Sequence, residues 1–144
     1  MKVSDILKVK GAAVMTVRPV DTVRAVAKRL LQEKVGALVV SDDGAALEGI
    51  ISERDISNGV AVHGNNVGSL LASDLMTAGV ITCALEDSIA DVARVMTERR
   101  IRHLPVKEGN RLVGIISIGD VLKCRLDEML LEARVLRDIA LATR

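Results

Sequence analysis

Gly49-Ile50-Ile51-Ser52-Glu53-Arg54-Asp55 returns further along the chain as Gly114-Ile115-Ile116-Ser117-Ile118-Gly119-Asp120, 65 positions later (49 to 114). Self-similarity at a fixed spacing is the mark of a duplicated structural unit. From this pair the likeness extends upstream. Asp21-Thr22-Val23 matches Asp87-Ser88-Ile89, Val14-Met15-Thr16 matches Val80-Ile81-Thr82, and Leu38-Val39-Val40 matches Leu104-Pro105-Val106, all at an offset of 66 (21 to 87). The spacing changes by one residue between Asp42–Ala46 and Glu108–Arg111. Both are turn-rich stretches, where an insertion disturbs least. The lead-ins agree too, Ser4-Asp5-Ile6-Leu7 with Ser73-Asp74-Leu75-Met76. The chain is two copies of one unit followed by an extension.

Each copy carries the same order of signals. A short strand opens it, Val14–Val17 or Val80–Cys83. Asp21 or Asp87 then stands where a helix N-cap is expected. Val23, Val26, Ala27, Leu30 and Leu31 in one copy, and Ile89, Val92, Ala93 and Met96 in the other, recur at helical spacing. A strand follows (Ala37–Ser41 or His103–Lys107), then a turn, a strand ending in Gly-Ile-Ile-Ser, and a second helix from Glu53 or Ile118. The fold class is therefore α/β (α+β), with β-α-β-β-α written twice. One such unit is too small to bury a core alone, so the copies are expected to pack about a pseudo-two-fold axis. The polar segment from His63 to Gly68 reads as their link. The expected divisions are 1–68 for the first repeat with its lead-in and link, 69–125 for the second, and 126–144 for a helical extension. Leu122, Leu126, Met129, Leu130, Ala133, Leu136 and Ala140 form one apolar stripe along that extension. It either folds back on its own domain or faces a partner.

Composition narrows the function. Hydrophobic residues make up 49% of the 144 residues and charged residues 27%, which excludes disorder. Twenty Lys and Arg against 19 Asp and Glu leave a net charge of +1, too little for a protein held to nucleic acid by phosphate neutralisation. Aromatic content is 0%, so no base can stack on Phe, Tyr or Trp, and a nucleobase would lie between aliphatic side chains. Cys83 and Cys124 lack CxxC spacing and read as buried thiols. His63 and His103 are too far apart for a metal-ligand pair. No apolar run is long enough for a membrane span, and charges interrupt the start of the chain where a secretory signal would be apolar. A cytoplasmic protein without membrane or nucleic-acid partners is expected. Phosphate-loop, dinucleotide-loop and nucleophile-elbow motifs are missing from the sequence, so no catalytic role or catalytic cofactor is expected.

Two groups of residues carry chemistry. Ser52-x-x-Asp55 and Ser117-x-x-Asp120 each open a helix. A carboxylate there can accept both hydroxyls of a ribose diol, and the free N–H groups of the helix favour a phosphate. The same spacing is also a capping box. Recurrence does not separate these readings, because duplicated caps also recur. Arg99-Arg100-Ile101-Arg102-His103 is the second group, with arginine forks suited to phosphate oxygens. Arg99 or Arg100 reads equally well as charge complementing a helix C-terminus.

The whole pattern, with Ser52-Glu53-Arg54-Asp55, Arg102-His103-Leu104-Pro105-Val106 and Ser117-Ile118-Gly119-Asp120-Val121-Leu122-Lys123, resembles a tandem cystathionine β-synthase (CBS) domain pair, or Bateman module, of the stand-alone bacterial type. The resemblance covers Val3 to about Arg125. It implies regulatory binding of an adenine nucleotide, AMP first and ATP or NAD(H) as alternatives, as a sensor of energy or redox state. It implies ribose contacts from the Ser and Asp of each motif and phosphate contacts from Arg102 and His103. It places the adenine against Val14 and Thr16, or Val80 and Thr82. Arg54, Gly119 and Pro105 complete the implied site. Gly36-Ala37 replaces Arg102-His103 in the first copy, so the two clefts are expected to differ. The second cleft, built from Arg102, His103, Ser117 and Asp120, is expected to suit a monophosphate better, with Arg54 compensating in the first. The resemblance also implies a homodimer acting on a separate effector enzyme. The alternative is a ligand-free structural dimerisation module in which both Ser-x-x-Asp motifs only cap helices.

Overall fold

Helix α1 (Val3–Lys10) precedes the first repeat, which runs β1 (Thr16–Val17), α2 (Val23–Glu33), β2 (Ala37–Val40), β3 (Gly49–Ser52) and α3 (Glu53–His63). A 3-10 segment, Gly64–Ser69, forms the link and leads into α4 (Ala72–Leu75). The second repeat holds α5 (Ile89–Arg99), β4 (His103–Glu108), β5 (Arg111–Ser117) and α6 (Ile118–Ala142). This computed structural model describes residues 1–143; Arg144, the end of the expected extension, lies outside them. In the first sheet the order is β1-β2-β3, with β1 parallel and β3 antiparallel to β2. The second sheet is the antiparallel pair β4-β5.

The strand expected over Val80–Cys83 shrinks to a single parallel bridge, Cys83 to Val106. Its counterpart β1 pairs twice, Thr16 with Val39 and Val17 with Val40. Pro105 stands in the place of Val39 and has no N–H to give, so the second ladder cannot extend. The helix caps also shift by one residue. Thr22 and Ser88, not Asp21 and Asp87, accept from the third backbone N–H of the helix, at 3.2 Å from Ala25 and 3.1 Å from Asp91. Asp21 and Asp87 instead accept from Arg18 and Ala84, tying the turn before each helix. On α2 the core takes Val23, Val26 and Leu30, whereas Leu31 is 80% exposed.

The lead-ins cross over. Val3, Ile6 and Leu7 of α1 are buried with Ile89, Met96, Leu104 and Ile116 of the second repeat. Ala72, Leu75 and Met76, around α4, pack with Val26, Leu38 and Ile51 of the first. Backbone pairing repeats the exchange: Val3 N donates to Asp87 O and Ser4 N to Leu85 O, as Ala72 N does to Asp21 O and Ser73 N to Pro19 O. The glycines of the two Gly-Ile-Ile-Ser strands make room for this. A Cβ on Gly49 would lie 2.7 Å from Met76 Sδ and 2.9 Å from Thr77 O. A Cβ on Gly114 would lie 2.7 Å from Leu7 Cδ1. Each repeat therefore closes on the other's end of the chain, and the pseudo-symmetric pair folds as one body.

Helix α6 starts at the second Ser-x-x-Asp motif and continues without interruption into the extension. Only Val121 and Cys124 of its described residues are buried. Leu122, Leu126, Met129, Leu130 and Leu136 of the apolar stripe are each more than half exposed. The stripe does not fold back on its own domain. No helix among the described residues is long and apolar enough to cross a membrane.

Candidate functional site

Ser52 ends β3 and caps α3: its Oγ accepts from Asp55 N at 3.2 Å, while Asp55 Oδ2 accepts from Ser52 N at 2.9 Å and from Ser52 Oγ at 3.0 Å. Ser117 and Asp120 repeat the arrangement at α6, at 3.2 and 2.8 Å. Both motifs are thus capping boxes. Capping does not exhaust Asp55. All of its side-chain hydrogen bonds fall on Oδ2, which leaves Oδ1 without a partner, and a carboxylate accepts about four hydrogen bonds.

A cleft of about 300 Å³ opens in front of this cap. The first repeat contributes Gly36, Ile50, Ser52, Glu53, Arg54 and Asp55 to its lining. The segment after α4 contributes Thr77, Gly79, Val80 and Ile81, and the end of α5 contributes Arg100, Ile101, Arg102 and His103. The expected grouping of Arg102 and His103 with Ser117 and Asp120 is therefore corrected: the basic pair faces the first repeat's Ser-Asp motif across the pseudo-axis. The reason is the meeting of the two equivalent strand starts. His103 lies on Gly36, where a Cβ would come within 3.4 Å of His103 Cε1 and 3.8 Å of Glu53 Oε2. Gly36-Ala37 in the first copy is thus the space into which the second copy's His103 fits.

The remaining expected residues fall elsewhere. Ser117, Gly119 and Asp120 stand at the equivalent cap on the other side of the axis. Val14 and Thr16 occupy in the first copy the places of Val80 and Thr82 in the second. Pro105 is buried within β4 and Thr82 is half-buried; neither lines the cleft. Arg100 is the residue the sequence reading left to helix-end charge. It takes the left-handed conformation, φ 54°, at the C-cap of α5, and it lines the cleft. Lys34 takes the same conformation at the C-cap of α2 without lining the cleft, so the backbone conformation by itself does not mark Arg100.

Charges in the cleft are mixed. Three arginines, Arg54, Arg100 and Arg102, face two carboxylates, Glu53 and Asp55. His103 adds no charge at neutral pH. Burial, with the positive charges of Lys10 and Arg102, outweighs Glu53 and Asp120 and holds its ring below the ordinary histidine range. A neutral imidazole at the cleft offers one donor and one acceptor. Walls of Ile50, Val80, Ile81 and Ile101 supply the aliphatic surfaces between which a flat ring can lie. Elsewhere, burial and the charge of Asp87 push the Cys83 thiol up to about 12, so it stays protonated at neutral pH.

A paired β-α-β-β-α unit with crossed lead-ins and a cleft on its pseudo-axis defines a tandem-repeat module. The CBS domain family model matches the chain twice, at residues 3–61 and 72–127, and the chain belongs to the CBS domain family. It is 37% identical over 134 residues to the CBS domain-containing protein CBSX3, mitochondrial, of Arabidopsis thaliana, covering 88% of this chain and 65% of that longer protein. Its fold superposes on a CBS-domain containing protein from Agrobacterium tumefaciens with a TM-score of 0.84 and 41% identity, over 87% of this chain and 99% of that one. Two further similar structures hold ligands. CBSX2 in complex with AMP has a TM-score of 0.72 and 26% identity, over 89% and 98% of the two chains. The CBS domain pair of MJ0100, in complex with 5-methylthioadenosine and S-adenosyl-L-methionine, has a TM-score of 0.78, with the same identity and coverage.

Proposed function

We propose that this chain is a regulatory module that binds an adenosine ligand in the cleft between Ser52–Asp55 and Arg100–His103, with AMP as the preferred ligand. The observation that carries this reading is the cleft itself. It sets a ribose-accepting carboxylate at a helix N-terminus opposite a set of arginines, with aliphatic walls between them. Asp55 Oδ1 accepts the ribose hydroxyls, the arginines take the phosphate, and the base lies against Val80 and Ile81. A volume of about 300 Å³ is at the small end for ligand pockets and suits a mononucleotide better than the dinucleotide NAD(H). The adenosine ligands in the similar structures of CBSX2 and MJ0100 support the same class. The ligand state is read out by a separate effector protein. The exposed stripe of α6 supports a homodimer, with a mass in light scattering twice the 15.4 kDa of one chain.

Isothermal titration with AMP and adenosine tests the site. Asp55→Ala removes a charged acceptor, worth roughly 1.5–3 kcal/mol, so AMP binds about 10–150-fold more weakly. Arg102→Ala weakens AMP and leaves adenosine nearly unchanged. Melting of the ligand-free variants, compared with Asp55→Asn, separates loss of the cap from loss of the ligand contact. An Asp55→Ala protein that binds AMP as the parent does would overturn this assignment and return the motif to a helix cap alone.

A further inference from the structure

The cap that pseudo-symmetry pairs with Asp55 is already occupied by the chain itself. Lys10, the last residue of α1, places Nζ 2.7 Å from Asp120 Oδ2 and 3.0 Å from Ile115 O. The matching atoms of the first repeat have a different partner. Ile50, the counterpart of Ile115, gives its carbonyl to Thr77 N at 2.9 Å and takes Thr77 O through its own N–H at 3.1 Å. That bridge forms because α4 stops after four residues and the chain turns into an extended path along β3. Helix α1 instead continues for eight residues, and its backbone does not pair with Ile115 as Thr77 pairs with Ile50. The lysine ammonium takes the carbonyl that backbone would have satisfied, and it closes on the Asp120 carboxylate in the same reach. Burial alone would raise Asp120; hydrogen bonds from Lys10 and the Ser117 backbone, with the Lys10 charge, outweigh it and hold the carboxyl below its ordinary range.

We infer that Lys10 is a built-in occupant of the second cleft that restricts this chain to one adenosine ligand, bound at Asp55. The inference rests on the reading of Asp55 as a ribose acceptor. As at Asp55, the hydrogen bonds to Asp120 fall on Oδ2, but here one of them comes from an ammonium. That charge neutralises the carboxylate as an acceptor for a ribose diol, and a ligand that displaces it must break a charge-assisted hydrogen bond. Once emptied, that cleft differs in chemistry from the first. Gly36, Ala37 and Gly119 stand where the first cleft draws on Arg102, His103 and Arg54. Lys34, left-handed at the C-cap of α2, is the counterpart of Arg100, so without Lys10 that cleft keeps one cation against the three of the first and gains less from a phosphate. Lys10 is thus the specificity-determining residue between the two pseudo-equivalent sites.

Titration with adenosine, counting sites per chain, tests this. The parent takes one equivalent and Lys10→Ala takes two. Lys10→Ala combined with Asp120→Ala returns to one, because the released site has lost its acceptor. Lys10→Met keeps the side-chain stem while removing the ammonium, and it also gives two should alanine loosen α1. Two equivalents in the parent, or one in both Lys10 variants, would overturn the role of Lys10 while leaving the Asp55 site standing. No adenosine binding by parent or variants would overturn the Asp55 reading, and the Lys10 inference with it.

Discussion

The two Ser-x-x-Asp caps have the same sequence spacing, the same capping-box hydrogen bonds to the backbone and the same place in the repeat, yet they are not the same site. Asp55 looks onto a cleft lined by three arginines and a neutral histidine, while Asp120 is closed by Lys10. Part of this difference lies inside the motif, where Glu53 and Arg54 stand against Ile118 and Gly119. The rest comes from what the other copy supplies across the axis: Arg102 and His103 for one side, Gly36 and Ala37 for the other. It comes also from the length of the lead-in helix, which carries Lys10 to β5 and lets Thr77 reach β3. In a duplicated fold each site is assembled from both copies, so divergence in one repeat changes the chemistry of the other.

The crossed lead-ins offer the most forceful test of that comparison. Leu7 belongs to the N-terminal end of the chain but packs in the second repeat's core. Leu7→Ala is expected to cost about 2–5 kcal/mol, as buried leucine truncations do. Amide exchange should then speed up in β4 and β5 before it does in β2 and β3. Urea midpoints give the energy and exchange mass spectrometry the location; faster exchange confined to the first repeat would break the crossed arrangement.

The paired glycines come next. Gly49→Ala drives a methyl against Met76 and the rigid carbonyl of Thr77, an overpacking worth about 1–3 kcal/mol. Gly114→Ala meets only the end of the Leu7 side chain, which can turn aside, and so should cost less. Leu7→Ala should also make Gly114→Ala nearly free while doing nothing for Gly49→Ala. Melting temperatures of the single and double variants decide the order.

The smallest effect concerns His103 on the axis. Its folded value lies below the ordinary 6.5, so the unfolded chain takes up a proton first as the pH drops. The histidine's contribution is complete above pH 6.5 and is lost as pH falls from there through the lower folded value. Against His103→Asn, the parent should lose more thermal stability between pH 7 and pH 5. Parallel melting curves across that range would mean that the ring is not shielded as described.

Fold and family were readable from the chain because they rest on repeated local signals. The Gly-Ile-Ile-Ser strands, the helical spacing of Val23, Val26 and Leu30, and the turns between them act over a few residues and recur in register. Where local pairing chemistry intervened, the reading slipped. Pro105 cancelled a strand that Val80–Cys83 otherwise announces, and Thr22 and Ser88 took caps assigned to the neighbouring aspartates. The Ser-x-x-Asp motifs, Arg102 and His103 were legible as functional candidates because few residue types can bind ribose and phosphate. Their grouping was not. Which carboxylate faces the arginines, which one Lys10 pairs with, and what lies against Gly36 depend on contacts between residues 67 positions apart (36 to 103) or 110 apart (10 to 120). Sequence spacing carries no record of such distances; only the packing of one repeat against the other sets them.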